Sequence, residues 1–227
     1  MKLSKDTLSI LKNFANINDG IVFRQGNVLR TCDAQKQVLA ETTIGESIPN
    51  DFGIFDLNRF LSALDLEGEN SQLEFDESTK SVVVSAASGR SKTVYRICDA
   101  SNIKNAPEKG VTMPAPDVSF QLSQEDLEHI VKASGRLATP HVAVKSDGSK
   151  IFLHALDNKN TSAHTNQLEV GDGNGKRYTM LFKTENLKMI PGTYDVSISF
   201  KGIASFKNTA KQIQYWIATE IGSNSEA

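Results

Sequence analysis

The chain carries the same pattern twice. Leu3-Ser4-Lys5-Asp6-Thr7-Leu8 matches Leu122-Ser123-Gln124-Glu125-Asp126-Leu127. Thr93-Val94-Tyr95-Arg96-Ile97 matches Ile213-Gln214-Tyr215-Trp216-Ile217 at nearly the same offset, and between them Phe55-Asp56-Leu57-Asn58-Arg59-Phe60 stands opposite Phe182-Lys183-Thr184-Glu185-Asn186-Leu187. Three matches in one order point to a duplicated unit, and a repeat constrains the fold more than any local propensity. In the first pair, Ser4 and Ser123 are natural N-caps, and the acidic residues behind them sit where the helix dipole favours negative charge.

Each copy reads alike. A helix opens it, over residues 6–17 and again over 124–134. Short strands follow at 21–23, 27–32 and 38–42, then at 141–145, 150–155 and 167–170, with turn punctuation at Arg24-Gln25-Gly26 and Ser146-Asp147-Gly148 that implies antiparallel hairpins. A shorter helix comes next (57–64, 184–189), and a final strand pair closes the copy (80–85 with 92–98, 193–200 with 212–220). The fold class is α+β: two similar domains of antiparallel sheet with two helices each. The domains are placed at 1–105 and 119–227. The linker, 106–118, contains Pro107, Gly110, Pro114 and Pro116 and has no periodicity; residues 222–227 read as a frayed tail.

Charge and motifs remove several function classes. The 227 residues carry 25 Lys plus Arg against 27 Asp plus Glu, a net charge of -2, which excludes attachment to nucleic acid by bulk positive charge and leaves room for a local basic surface. No apolar run approaches the ~20 residues that span a bilayer, so no membrane partner is expected. Residues 1–14 read as the start of an amphipathic helix and not as a leader. Cys32 and Cys98 lack C-x-x-C spacing and are expected to be reduced thiols. Gly171-Asp172-Gly173-Asn174-Gly175-Lys176 is followed by Arg177 and a strand, so it reads as a hairpin turn and not a phosphate loop. His129, His141, His154 and His164 have no ligand spacing, and the acidic residues Asp65, Glu67, Glu69, Glu74, Asp76 and Glu77 read as a solvated hairpin face. No nucleophile motif is present, and no enzyme, cofactor or metal is expected.

The helices are the informative part. Leu8, Leu11 and Phe14 form one face of the first, and Lys5, Ser9, Lys12 and Asn16 another. In the second copy Leu127, Ile130, Val131 and Ser134 face inward, while His129, Lys132 and Arg136 form a polar stripe. Arg59, Lys183 and Lys188 stand beside the apolar residues of the short helices. Such stripes suit phosphate contacts and lack the Arg, Asn and Gln clusters that read base edges.

These residues carry a resemblance. Met1-Lys2-Leu3-Ser4-Lys5-Asp6-Thr7, with Leu11-Lys12-Asn13-Phe14-Ala15 and Ile17-Asn18, is similar to the N-terminus of the sliding clamps of T-even-type bacteriophages, their DNA polymerase processivity factors. Phe55-Asp56-Leu57-Asn58 and Leu187-Lys188-Met189-Ile190-Pro191-Gly192-Thr193-Tyr194 resemble later segments of that family. The resemblance implies a homotrimeric ring, closed head to tail around duplex DNA with helices lining the hole. It further implies sequence-independent contact with DNA through Lys5, Lys12, Arg59, Lys132, Arg136, Lys183 and Lys188. Other implied partners are the hydrophobic C-terminal peptide of the polymerase and an ATP-dependent clamp loader; a role in phage late transcription and a place in the cytoplasm of the infected bacterium follow as well. The candidates for the peptide site are Val111, Met113 and Val118, taken as exposed apolar residues among the linker prolines. The alternative is a two-domain peptide-binding module that forms no ring; a hydrolase built on the scattered histidines is a weaker third.

Overall fold

The computed structural model describes residues 1–76, 78–104, 106–107 and 110–225. The chain falls into two compact units, one of Met1–Ala34 with Leu39–Gly110 and the other of Gln35–Val38 with Val111–Ala227. Asn105 at the expected boundary, Glu77 of the acidic stretch, Glu108 and Lys109 of the linker, and Glu226 and Ala227 of the tail lie outside the described residues.

The first unit runs α1 (Lys5–Phe14), β1 (Ile21–Phe23), β2 (Gly26–Cys32), β3 (Val38–Ile48), β4 (Phe52–Ile54), α2 (Leu57–Glu67), β5 (Gln72–Asp76), β6 (Ser81–Ser85) and β7 (Lys92–Arg96), then a 3₁₀ turn at Ala100–Asn102. Its strands lie in the orders β4-β1-β2-β3 and β5-β6-β7, with antiparallel neighbours. Two further contacts finish edges. The Met1 amino group donates to the Leu73 carbonyl at 2.7 Å and the Leu73 N–H donates back to Met1 at 2.6 Å, so β5 is covered. Gly53 and Cys98 exchange backbone bonds of 2.8 and 2.9 Å across β4. α1 buries Ile10, Leu11 and Phe14, and α2 buries Leu57, Phe60, Leu61 and Leu64. An aromatic chain joins these elements: Phe23 stacks on Phe52 at 4.7 Å, and Phe60 meets Tyr95 edge-on at 5.2 Å.

The second unit runs β8 (Val118–Leu122), α3 (Gln124–Leu137), β9 (His141–Asp147), β10 (Lys150–Leu156), β11 (Asn166–Asp172), β12 (Arg177–Lys183), a 3₁₀ turn at Thr184–Leu187, β13 (Tyr194–Ser199), β14 (Ile203–Asn208), β15 (Ile213–Ala218) and β16 (Asn224–Ser225). The strands lie in the orders β11-β10-β9-β12-β16 and β15-β14-β13-β8. This is the plan of the first unit again, with β12-β9-β10-β11 in the place of β4-β1-β2-β3 and β13-β14-β15 in the place of β5-β6-β7. Each of the three sequence matches falls on equivalent elements: α1 with α3, β7 with β15, and the β4–α2 junction with the β12–3₁₀ junction.

Several expectations are corrected. The fourth helix is a single 3₁₀ turn, so the described residues hold three α-helices and not four. Pro191 biases Ile190 away from helical backbone, and Gly192 follows at φ +153°, so the turn cannot continue. α1 stops at Phe14 and not at residue 17, its last bonds tightening to Asn16–Asn13 and Ile17–Phe14. α3 continues beyond Ser134 to Leu137 and ends where Ala138 takes left-handed backbone, φ 52°. The loop over residues 171–176 is no hairpin, because β10 and β9 separate β11 from β12. It crosses the end of the β9–β10 hairpin, with Gly173 N–H donating to Ser149 and Gly175 N–H to Gly148 at 2.7 and 2.9 Å. A Cβ on Gly173 would collide with the Gly148 carbonyl oxygen, which is why glycine stands there. Glu67 is buried and accepts from the Thr93 hydroxyl at 2.6 Å, so it does not belong to a solvated face. The tail is not frayed at Asn224 and Ser225, which pair with Thr179 and Tyr178.

Candidate nucleic-acid interface

α1 and α3 present their cations for the same local reason. Ser4 accepts from the Thr7 N–H at 3.2 Å and Ser123 from the Asp126 N–H at 3.1 Å, so both helices start one residue before a polar, exposed face. In α1 the apolar side turns inward and Lys5, Ser9 and Lys12 are exposed; in α3 His129, Lys132 and Arg136 are exposed. The structure thus brings Lys5 together with Lys12 and Lys132 together with Arg136. A groove of about 640 Å³ opens between α1 and α2, lined by the apolar Leu8, Leu61 and Leu64 and by Lys2, Lys5 and Lys12.

The remaining cations are placed differently. Arg59 is exposed on the first turn of α2, its Nε 2.9 Å from Asp56. Lys183 is not on a helix: it ends β12, is half-buried, and donates to Gln37 Oε1 at 2.9 Å with Glu220 at 3.9 Å, which gives its ammonium a structural occupation in the second unit. Lys188 is exposed just past the 3₁₀ turn. Of the peptide-site candidates, Val111 and Met113 are half-buried. Val118 is corrected: it is 2% exposed, within β8 opposite Ile198, and so is a core residue. Large apolar side chains that are exposed lie elsewhere, at Phe55, Leu66, Val94 and Ile221.

Carboxylates that the sequence reading does not pair with these cations stand beside them. Lys5 Nζ lies 2.9 Å from Glu69 and Lys132 Nζ lies 3.1 Å from Glu128. The hydrogen bond and charge of Lys5 hold the Glu69 carboxyl below its ordinary value; Gln124 and then Lys132 do the same for Glu128. The second pair was legible as an i, i+4 spacing; the first joins residues 64 positions apart in the sequence and had no local signal. Among the described residues, no group of three or more His, Cys, Asp or Glu could hold a metal ion, and no helix is long and apolar enough to cross a membrane.

Comparison with known proteins decides the family. Residues 4–104 match the model of the DNA polymerase processivity factor family, and residues 119–221 match that of the gp45 sliding clamp C-terminal domain. The sliding clamp of Vibrio phage KVP40 is 37% identical over 226 residues, 97% of this chain and 99% of its own length. The chain belongs to the sliding-clamp family. The sliding clamp of Enterobacteria phage T4 is 30% identical over 98% of both chains. Among solved structures, A. fulgidus PCNA with the C-terminal region of FEN-1 bound superposes with TM-score 0.70 at 12% identity, covering 99% of this chain and all of that one. As a sliding clamp, the chain is a DNA polymerase processivity factor, and the peptide-binding module outside any ring is not favoured.

Proposed function

We propose that three copies of the chain close head to tail around duplex DNA and slide on it, holding the polymerase to its template without any catalysis or cofactor of their own. One observation carries the reading: in a chain of net charge -2, Lys5 with Lys12 and Lys132 with Arg136 are gathered on one exposed face of α1 and of α3. Contacts of this kind are independent of sequence and yield to salt, while the acidic remainder repels DNA elsewhere. Arg59 of the first unit and Lys188 of the second, both exposed, add further phosphate contacts, and Lys183 serves the fold.

Ring closure is supported by the sheet edges. β7 and β11 each end a sheet. β7 carries exposed Lys92 and Arg96 around Val94, and β11 carries exposed Glu169 and Asp172. Lys150 holds both Glu169 and Asp172 at 2.9 Å, so what the two edges offer each other is unpaired strand backbone; two different edges of one chain form a heterologous contact, which closes into a ring when the rotation permits. The A. fulgidus PCNA bound to a C-terminal region of FEN-1 supports a peptide site. We assign Val111 and Met113 to it, as the place where the polymerase C-terminal peptide docks. Loading falls to a separate ATP-dependent machine, and the clamp works in the cytoplasm of the infected bacterium, where it also supports late transcription.

The test is topological. The chain, loaded on nicked circular duplex, is expected to stay bound and to be lost when the circle is cut. Equal loss from circular and linear DNA would overturn the reading. Charge reversal at Lys5, Lys12, Lys132 and Arg136 is expected to leave the trimeric mass unchanged and to reduce processive synthesis.

A further inference from the structure

We infer that Glu69 and Glu128 belong to the DNA-facing surface, where they compete with phosphate for Lys5 and Lys132 and so keep the clamp mobile. The inference rests on the ring reading above. Its ground is a pattern that occurs once in each unit. α1 carries one cation in an ion pair, Lys5 with Glu69 at 2.9 Å, and one, Lys12, that has no ion pair among the described residues. α3 carries Lys132 paired with Glu128 at 3.1 Å, and Arg136 without an ion pair among the described residues. In both helices the paired cation precedes the open one along the chain.

The pairs do little for the fold. Lys5 and Glu69 side chains are 83% and 76% exposed, Lys132 and Glu128 67% and 42%, and solvated pairs of this kind add little to stability. Glu69 lies beyond the Gly68 cap of α2, so its bond to Lys5 is not internal support for a helix. What the pairs do change is the exchange with DNA. A free lysine that reaches a phosphate releases a condensed counterion, and that release drives binding. A lysine held by a carboxylate gives up one anion for another, so less is gained at each phosphate and the barrier to the next one is lower. Lys12 and Arg136 then supply attraction, while Lys5 and Lys132 supply contact without grip. Asp56 stands in the same relation to Arg59, but it also caps α2 through the Arg59 N–H and is left unaltered in the test.

The experiment compares the full-length clamp with the Glu69→Gln, Glu128→Gln double variant. The readouts are one-dimensional diffusion on stretched duplex and the salt dependence of binding to short linear duplex. The double variant is expected to diffuse several-fold more slowly, and its log–log salt slope is expected to steepen by about 0.9 for each further phosphate that a released lysine neutralises. Glu69→Asp with Glu128→Asp is expected to return both to the parent values. A control of equal charge change on sheet strands, Glu74→Gln with Asp195→Asn, is expected to move neither. If the double variant diffuses and titrates like the parent, or if the control slows as much, this inference is wrong and the ring stands. Loss of the parent's retention on circular DNA would remove the ring and this inference with it.

Discussion

The two units share a strand plan and differ in how they hold their helices. β4-β1-β2-β3 with β5-β6-β7, and β12-β9-β10-β11 with β13-β14-β15, are the same arrangement. Yet the first unit follows β4 with the 11-residue α2, while the second follows β12 with four residues of 3₁₀ turn. α2 has a reason to persist: it inserts Phe60 between Phe23 and Tyr95, at centroid distances of 6.4 and 5.2 Å. The second unit offers Leu187 at the matching position and then Pro191-Gly192, which turn the chain away. Pairing of strands is thus the invariant of the duplicated unit, and the second helix is an elaboration that the first unit alone retains.

That contrast is broken most forcefully at Phe60. Phe60→Ala removes a ring that is 2% exposed and is expected to cost about 3–5 kcal/mol. Leu187→Ala, its counterpart at 5% exposure, is expected to fall near the lower end of the Leu→Ala range, about 2 kcal/mol, because a single 3₁₀ turn can collapse onto the gap. Urea midpoints of the two variants measure the difference; equal losses would mean that α2 is no better anchored than the turn.

The starts of α1 and α3 sharpen the same contrast. α3 is closed locally: the Ser123 hydroxyl donates to Asp126 Oδ2 at 2.6 Å while the Asp126 N–H donates back. α1 has Thr7 where α3 has Asp126, and the missing carboxylate arrives from β3, as Glu46, which accepts from the Ser4 N–H and, at 2.7 Å, from the Thr7 hydroxyl. Burial pushes the Glu46 carboxyl up, and the hydrogen bonds from Ser4 and Thr7 outweigh it, so the folded carboxyl sits below its ordinary value of 4.5. A depressed carboxyl contributes stability that is complete above 4.5 and is lost as pH falls through the folded value. Glu46→Gln is therefore expected to cost about 1 kcal/mol at neutral pH, with faster amide exchange at the start of α1. The gap from the parent should close on acidification. A gap that holds at low pH would show that shape, not charge, carries the cap.

These elements also mark what the sequence could reveal. Ser4 and Ser123 were legible because an N-cap is written within four residues, and the exposed faces of α1 and α3 because helical periodicity is local as well. The topology around residues 171–176 was not, since whether a glycine loop turns back or crosses over depends on which strand lies beside β11, a fact no nearby residue encodes. Val118 was misplaced because the prolines before it hid the first residue of β8. Lys183 read as part of a helix face because the turn after β12 is too short to show its period, and its partners, Gln37 and Glu220, are distant in the chain. The pairing of Lys5 with Glu69 was beyond reach for the same reason.

A last, smaller effect of opposite sign bears on why α3 is longer than α1. By the match of Ser4 to Ser123, α1 ends before the position equivalent to Gly135, and α3 runs on through it, so the extra turn is what carries Arg136. Gly135 has ordinary helical backbone, and a Cβ there would meet nothing within 4 Å. Glycine inside a helix costs conformational entropy, so Gly135→Ala is expected to raise stability by about 0.5–1 kcal/mol. If the open space beside Gly135 has no use, diffusion on duplex will be unchanged in the stabilised variant. If the variant is more stable yet slides more slowly, the missing side chain is itself part of the DNA-facing surface, where the phosphate backbone passes close to α3. A loss of stability would instead show that the last turn of α3 is not held as a helix, and would leave Arg136 on a looser support than Lys12.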